Sequence, residues 1–222
     1  MQPANQTPDE SRLNRSSSTE TNLPLVEEDR ASAEVAALFA QYRAGFGRTN
    51  VPGLLRCFAT HPPLLRAMMD LAENMLFSDG ALSRRHKEMI SAFVSFRNSC
   101  PYCADSHGYF FREQGGSDEA LCALRDNRLA AASLTSAERS LLQFAEKVNR
   151  ASDAVHHEDV QQVTQSGWSE LQIAETIHTV ALFAAFNRIA NAFGLSSQGL
   201  LASLGGLPDS EVSANPLSKG DA

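Results

Sequence analysis

Two cysteines, Cys100 and Cys103, flank Pro101 and Tyr102, with Glu88 upstream and His107 four residues beyond the second thiol. Thiols one helical turn apart can form and break a disulfide. The imidazole and carboxylate are groups that can take and return the proton a thiol must lose before it reacts, since a free thiol of pKa about 8.5 is mostly protonated near neutrality. Pro101 has a fixed φ and no amide hydrogen, so it suits the first helical position and makes Cys100 the N-cap. Cys103 then falls at the third helical position on the same side, at a Cβ separation of about 5–6 Å. His107 stacks on that stripe one turn later. Two arguments address which thiol is the more acidic. The positive end of the helix dipole favours Cys100, whereas the i,i+4 spacing to His107 favours Cys103.

A helical frame must hold these groups. Apolar residues recur at helical spacing, as in Val35, Leu38, Phe39, Tyr42 and in Leu64, Leu65, Met68, Met69, Leu71, Ala72, Met75. Alternating strand-like runs are missing, so the fold class is all-α. Helices are expected near residues 30–45, 52–59, 62–77, 83–98, 100–114, 118–127, 136–150, 156–166 and 169–194. Thr135 to Glu138 and Ser169 to Gln172 read as capping boxes, with Trp168 stapling against Ile173, and the pair Gly115-Gly116 ends the cysteine helix. Offset by 87 residues, Gly80, Glu88 and Phe96 match Gly167, Glu175 and Phe183. The offset sets Asn187 opposite Cys100 and Ala190 opposite Cys103. Chance similarity between two amphipathic helices explains such a match about as well.

The chain has 222 residues, 43% of them hydrophobic, enough for one domain with a full core. That domain is expected over residues 23–204. Residues 1–22 and 205–222 are polar and are expected to be disordered tails. Four cysteines in a chain of this size do not suggest a disulfide scaffold, and the N-terminus has no apolar leader, which reads as cytoplasmic. No apolar run approaches the roughly 18–20 residues that span a bilayer. A net charge of −7 argues against a nucleic-acid surface. The one basic cluster, Arg84, Arg85, His86, Lys87, is expected to be a solvated helix face.

The four letters Cys-Pro-Tyr-Cys also occur in glutaredoxins, but those need a strand running into the motif and a later Thr-Val-Pro turn. Here SRRHKEMISAFVSFRN precedes the motif with helical spacing, and there is no Thr-Val-Pro. The wider pattern of Glu88, Cys100, Cys103 and His107 resembles the AhpD-like alkylhydroperoxidases of the carboxymuconolactone decarboxylase superfamily. Asn50-Val-Pro, His61-Pro-Pro-Leu-Leu and Phe186-Asn-Arg-Ile-Ala-Asn-Ala-Phe-Gly extend the resemblance over roughly residues 30–200, toward the branch of peroxidase-related proteins. The resemblance implies an all-helical fold, a homo-oligomer and reduction of a hydroperoxide by the cysteine pair. It further implies peroxide attack at Cys103, closure of the disulfide by Cys100, and a proton relay of Glu88 and His107. Regeneration would come from an external dithiol or thioredoxin-like reductant, with no prosthetic group. Tyr102 is a departure, because the best-studied members carry His immediately before the second cysteine.

Two readings from other classes stand beside this one. Cys100, Cys103, His107 and Glu88 are acceptable ligand types for a tetrahedral zinc in a binding module, and a CxxC can also be a redox sensor on a scaffold. Cys57 and Cys122 sit in apolar helical runs and read as small core residues. His156 and His157 open a polar helix, and His61 precedes Pro62 as a cap. His178, three residues beyond Glu175, reads as a hydrogen-bonded core or interface histidine, with a place in the active-site cavity as the alternative.

Overall fold

The computed structural model describes residues 21–207, so most of both expected tails lies outside the described residues. Thr21 and Asn22 are inside, and Asn22 donates through its backbone to Phe193 O (2.8 Å) and through Nδ2 to Ala192 O (3.0 Å).

The described residues form ten α-helices and no strand: α1 (Ala33–Phe46), α2 (Gly53–Phe58), α3 (Pro62–Met75), α4 (Arg84–Arg97), α5 (Pro101–Glu113), α6 (Asp118–Arg125), α7 (Ser136–Arg150), α8 (His157–Gln165), α9 (Glu170–Phe193) and α10 (Leu200–Ser203). Nine match the helices expected from periodicity to within a few residues. The short α10 has too few residues to show a period. Both expected capping boxes close, and Trp168 packs in one cluster with Ile173 while its indole nitrogen donates to Ala137 O at 2.8 Å. His156 and Asp159 form a third capping box, and His61 Nδ1 caps α3 by accepting from Leu64 N.

Helix α4 is the axis of the fold. Every residue from Lys87 to Ser95 is buried, because the segment carries apolar side chains around its whole circumference, a pattern that only a helix packed on all sides can satisfy. On one side it lies along α9 in parallel. Glu175 accepts from Leu82 N, Asn187 Nδ2 donates to Ser95 Oγ, and Asn191 Nδ2 donates to Asn98 O, at near-constant separations of 93, 92 and 93 residues. On another side α4 turns through Ser99, which adopts φ +51°, and returns as the antiparallel α5. Ile90, Val94, Leu141, Trp168 and Phe183 fill the core between α4, α7 and α9, while Met89, Phe93, Phe111 and Leu121 fill that between α4, α5, α6 and α7. Helices α1, α2 and α3 cover the far face of α9 through Phe39, Phe58, Leu65 and Phe186.

Two glycines permit close contacts at α5. A Cβ on Gly116 would stand 2.4 Å from the Phe111 ring, and one on Gly108 would stand 2.9 Å from Leu201 of α10. The segment around α10 is strapped over α5 by Asp105, which accepts from Leu200 N and Leu201 N, and by Arg112, which donates to Leu204 O and Gly206 O.

The basic cluster at the start of α4 is not a solvated face. Lys87 is 2% exposed, Arg84 pairs with Glu88 and Arg85 with Glu138. The cause is the burial of those two carboxylates, which need charged donors to offset the loss of water.

Candidate redox site

Cys100 is the N-cap of α5, Pro101 occupies the first helical position and Cys103 the third, as the sequence predicts. Both thiols are buried, at 1% and 2% exposure. The positive φ of Ser99 reverses the chain after α4. It also lets Cys100 N donate to Ser95 O at 3.0 Å, which fixes the first cysteine against α4.

The two thiols are chemically unequal. The side chain of Cys103, with the nearby amides of Cys103 and Tyr102 and the side chain of Asn187, holds Cys100 below the ordinary thiol value although burial works the other way. Cys103 is pushed well above that value, first by the neighbouring Cys100 side chain and then by burial. Of the two arguments from sequence, the one from the helix N-terminus agrees with this polarity. The backbone amides contribute without closing a cap hydrogen bond of good geometry.

Asn187 belongs to the site, and the sequence marked it only as the residue that the internal offset sets opposite Cys100. It is 1% exposed, and its carboxamide is fixed at both ends: Nδ2 donates to Ser95 Oγ and Oδ1 accepts from Asn98 Nδ2, each at 3.0 Å. Asn98 is held in turn by reciprocal bonds with Asn149. Ala190, matched by that offset to Cys103, packs in the same small cluster as both thiols.

Glu88 and His107 form a second pair. His107 Nδ1 lies 2.6 Å from Glu88 Oε2, and Arg84 Nε donates to the other oxygen at 2.7 Å. Glu88 is fully buried, and a carboxylate only accepts, so Nδ1 carries the proton and Nε2 is left to exchange one elsewhere. The imidazole is set by Phe183, with ring centroids 4.5 Å apart and nearly perpendicular, and by Phe110 at 5.8 Å. No hydrogen bond joins His107 to either thiol among the described residues. The structure thus brings Cys100 to Cys103 and Glu88 to His107, and leaves a gap between the pairs.

A cavity of ≈ 100 Å³ adjoins this gap, lined on one side by Tyr102, Ser106, His107 and Gln198 and elsewhere by Arg48 and by apolar and aromatic side chains. Tyr102 borders the cavity with one face and packs against the thiols with the other, and its hydroxyl accepts from Leu54 N at 3.2 Å. Cys57 packs in the same cluster as Cys100 and Cys103, and burial pushes it up to about 12. Cys122 is a buried residue of α6, as expected. His178 is exposed on α9 and takes no part in the cavity. Its neighbour Glu175 instead accepts from Ala81 N and Leu82 N.

The zinc reading required Glu88 and His107 to turn toward the sulfurs. They are committed to each other and to Arg84, and among the described residues no group of three or more His, Cys, Asp or Glu is arranged to hold a metal. No helix of the described residues is long and apolar enough to cross a membrane.

The profile of the Carboxymuconolactone decarboxylase family matches residues 62–147, which run from the start of α3 into α7 and include all four predicted site residues. The chain is 26% identical over 185 residues to sestrin-1 from Xenopus laevis, covering 83% of this chain and 36% of sestrin-1, so it spans about a third of that relative's length. An uncharacterized peroxidase-related protein from Silicibacter sp. TM1040 is 27% identical and superposes with a TM-score of 0.70 over 79% of this chain and 91% of that one. The alkylhydroperoxidase AhpD core of a peroxidase-related protein from Ralstonia eutropha JMP134 superposes with a TM-score of 0.73 at 24% identity, over 82% of this chain and 94% of that one. With the helical frame, the placement of the CxxC at a helix N-terminus and these similarities together, the chain is similar to the AhpD-like, peroxidase-related proteins of the carboxymuconolactone decarboxylase superfamily, with the family's own pattern over residues 62–147.

Proposed function

We propose that this protein is a thiol-dependent peroxidase that reduces hydroperoxides with the Cys100–Cys103 pair. The observation that carries the reading is the juxtaposition of two buried thiols, Cys100 at the N-terminus of α5 and Cys103 one turn on, packed against Tyr102, which borders the cavity that reaches His107.

In this reading the Cys100 thiolate attacks the terminal oxygen of the hydroperoxide. The O–O bond breaks, the alkoxide leaves and takes a proton to become the alcohol, and Cys100 becomes the sulfenic acid. Cys103 then attacks the Cys100 sulfur, the S–S bond forms and water leaves. The net change is one hydroperoxide and two thiols converted to one alcohol, one water and one disulfide. An external dithiol or thioredoxin-like protein returns the pair to the thiols, and no prosthetic group is needed. Glu88 orients His107, whose free Nε2 exchanges protons with the leaving oxygen. The family resemblance assigned the attack to Cys103, and the position of Cys100 at the N-terminus of α5, where its thiol is held below the ordinary value, supports Cys100 instead.

The exposed side of α9, with Leu171 at 72% and Ile177 at 37% exposure, supports a homo-oligomer that buries it. Light scattering on the purified protein measures the subunit number.

The test is peroxide-dependent oxidation of a dithiol such as dihydrolipoamide, with mass spectrometry of the oxidised protein. Turnover, a Cys100–Cys103 linkage, and a trapped sulfenic acid on Cys100 in the Cys103→Ser protein are expected. Sulfenic acid on Cys103 in the Cys100→Ser protein would transfer the nucleophile. A disulfide without turnover would reduce the pair to a redox sensor.

A further inference from the structure

The cavity beside His107 has a lining that its chemistry does not require. Although the chain carries a net charge of −7, no aspartate or glutamate lines this cavity, and its one permanent cation is Arg48. The other arginines near the site are neutralised, Arg84 by Glu88 and Arg43 by Glu28. Arg48 pairs with no carboxylate among the described residues, and its guanidinium is held over the Phe110 ring at 5.2 Å from the centroid. Tyr42 also lines the cavity, stacks on Phe46 at 4.8 Å, and presents a hydroxyl with no hydrogen-bond partner among the described residues. An unpaired guanidinium and an unpaired hydroxyl on an otherwise apolar wall are the donor set for a carboxylate, which accepts a forked pair of hydrogen bonds from arginine.

Phe110 sets the scale. The Arg48 guanidinium lies 5.2 Å and the His107 ring 5.8 Å from its centroid, so the two groups are at most about 11 Å apart. A molecule that reached both would carry its anionic and reactive ends across a body the size of one aromatic ring or a short alkyl chain. Phe46, Phe58, Phe77 and Phe186 wall the space such a body would occupy.

We propose that the cavity selects a hydroperoxide bearing a carboxylate, with the carboxylate on Arg48 and Tyr42, the apolar body between the phenylalanines, and the hydroperoxide at the His107 and Tyr102 end. This rests on the peroxidase reading above and deepens it by naming the substrate class. The reaction is unchanged, since the carboxylate binds and does not react. Discrimination comes from leaving an arginine unpaired when a neutral hydroperoxide occupies the site.

The experiment compares cumene hydroperoxide bearing a para-carboxylate with its methyl ester, which has nearly the same body and no charge. In the parent protein kcat/KM for the acid is expected to exceed that for the ester at least about tenfold, the size of one charge-assisted interaction, with the difference carried by KM. In Arg48→Gln the ratio is expected to fall close to one. A ratio near one in the parent, or one retained in Arg48→Gln, overturns the proposal. Calorimetric binding of 4-isopropylbenzoate, which cannot be reduced, gives a second readout independent of turnover. Binding to the parent but not to Arg48→Gln supports the subsite even if no hydroperoxide is consumed, in which case the peroxidase reading alone fails. Absence of binding together with turnover of both hydroperoxides without preference removes the subsite and leaves the peroxidase.

Discussion

Asn187 on α9 donates to Ser95 on α4 at 3.0 Å, and the same carboxamide reaches the two thiols at the start of α5. One buried amide therefore joins the three helices that make the site. Its Oδ1 is occupied by Asn98, so its orientation is set before any sulfur needs a donor. A donor already aimed at developing charge needs no reorganisation when the thiolate forms.

Replacing this amide tests its role. Asn187→Ala is expected to raise the titration midpoint of Cys100 and slow its reaction with peroxide at neutral pH. It should also lower stability by roughly 1–3 kcal/mol, because the fully buried Ser95 hydroxyl loses its donor and Asn98 loses an acceptor. The ultraviolet absorbance of the thiolate as a function of pH reports the first effect and denaturant unfolding the last. An unchanged midpoint would confine Asn187 to a structural role.

The pH dependence of the reaction follows from the depressed Cys100. Its thiolate is present above its folded value and is lost as the pH falls through it, so peroxide consumption should persist to lower pH than for a free thiol and then decline. Cys103→Ala removes the side chain that contributes most to the depression. The acidic limb of the single-turnover rate should then move to higher pH, which stopped-flow measurement between pH 5 and 9 can read.

Cys57 makes the opposite prediction for stability. Its folded value is raised from 9.0 to about 12. A raised value means that the stabilisation is complete below the unfolded value, near 9, and is lost as pH rises toward 12. Denaturant midpoints should therefore fall over that window, and less steeply in Cys57→Ala, whatever that substitution costs at neutral pH.

Tyr102 stands between the cavity and the sulfurs. Tyr102→Ala should connect the two spaces, so that a small alkylating reagent labels Cys100 several-fold faster than in the parent. It should also cost roughly 3–5 kcal/mol, as for other buried aromatic truncations. Labelling no faster than in the parent would place the route to the thiols elsewhere.

Glu88→Gln keeps the shape of the side chain and removes the charge that Arg84 and His107 both use. Turnover is expected to fall by about 10²–10⁴-fold, the range for a general acid–base group. Because Glu88 is fully buried, some loss of thermal stability should accompany it. Thermal unfolding and the peroxidase assay on one preparation separate the two effects.

The sequence by itself determined the helical class, the N-cap position of Cys100, the place of Cys103 one turn on and the capping boxes. These are local properties: they depend on spacings of three or four residues, on the fixed φ of Pro101 and on side chains that bond their own backbone. The tertiary structure decided what depends on contacts between distant segments. It buried Lys87 and paired Arg84 and Arg85 with carboxylates, where a run of basic residues reads as solvent-facing in isolation. It brought Asn187 to the sulfurs from about ninety residues away, because α9 packs in parallel along α4, and no local rule specifies that register. It also left His107 against Glu88 rather than against a thiol, and opened beside it an acid-free cavity holding Arg48. Cavities and charge pairings arise where separate helices meet, and hydrophobic periodicity says which face of a helix is buried but not which other helix covers it.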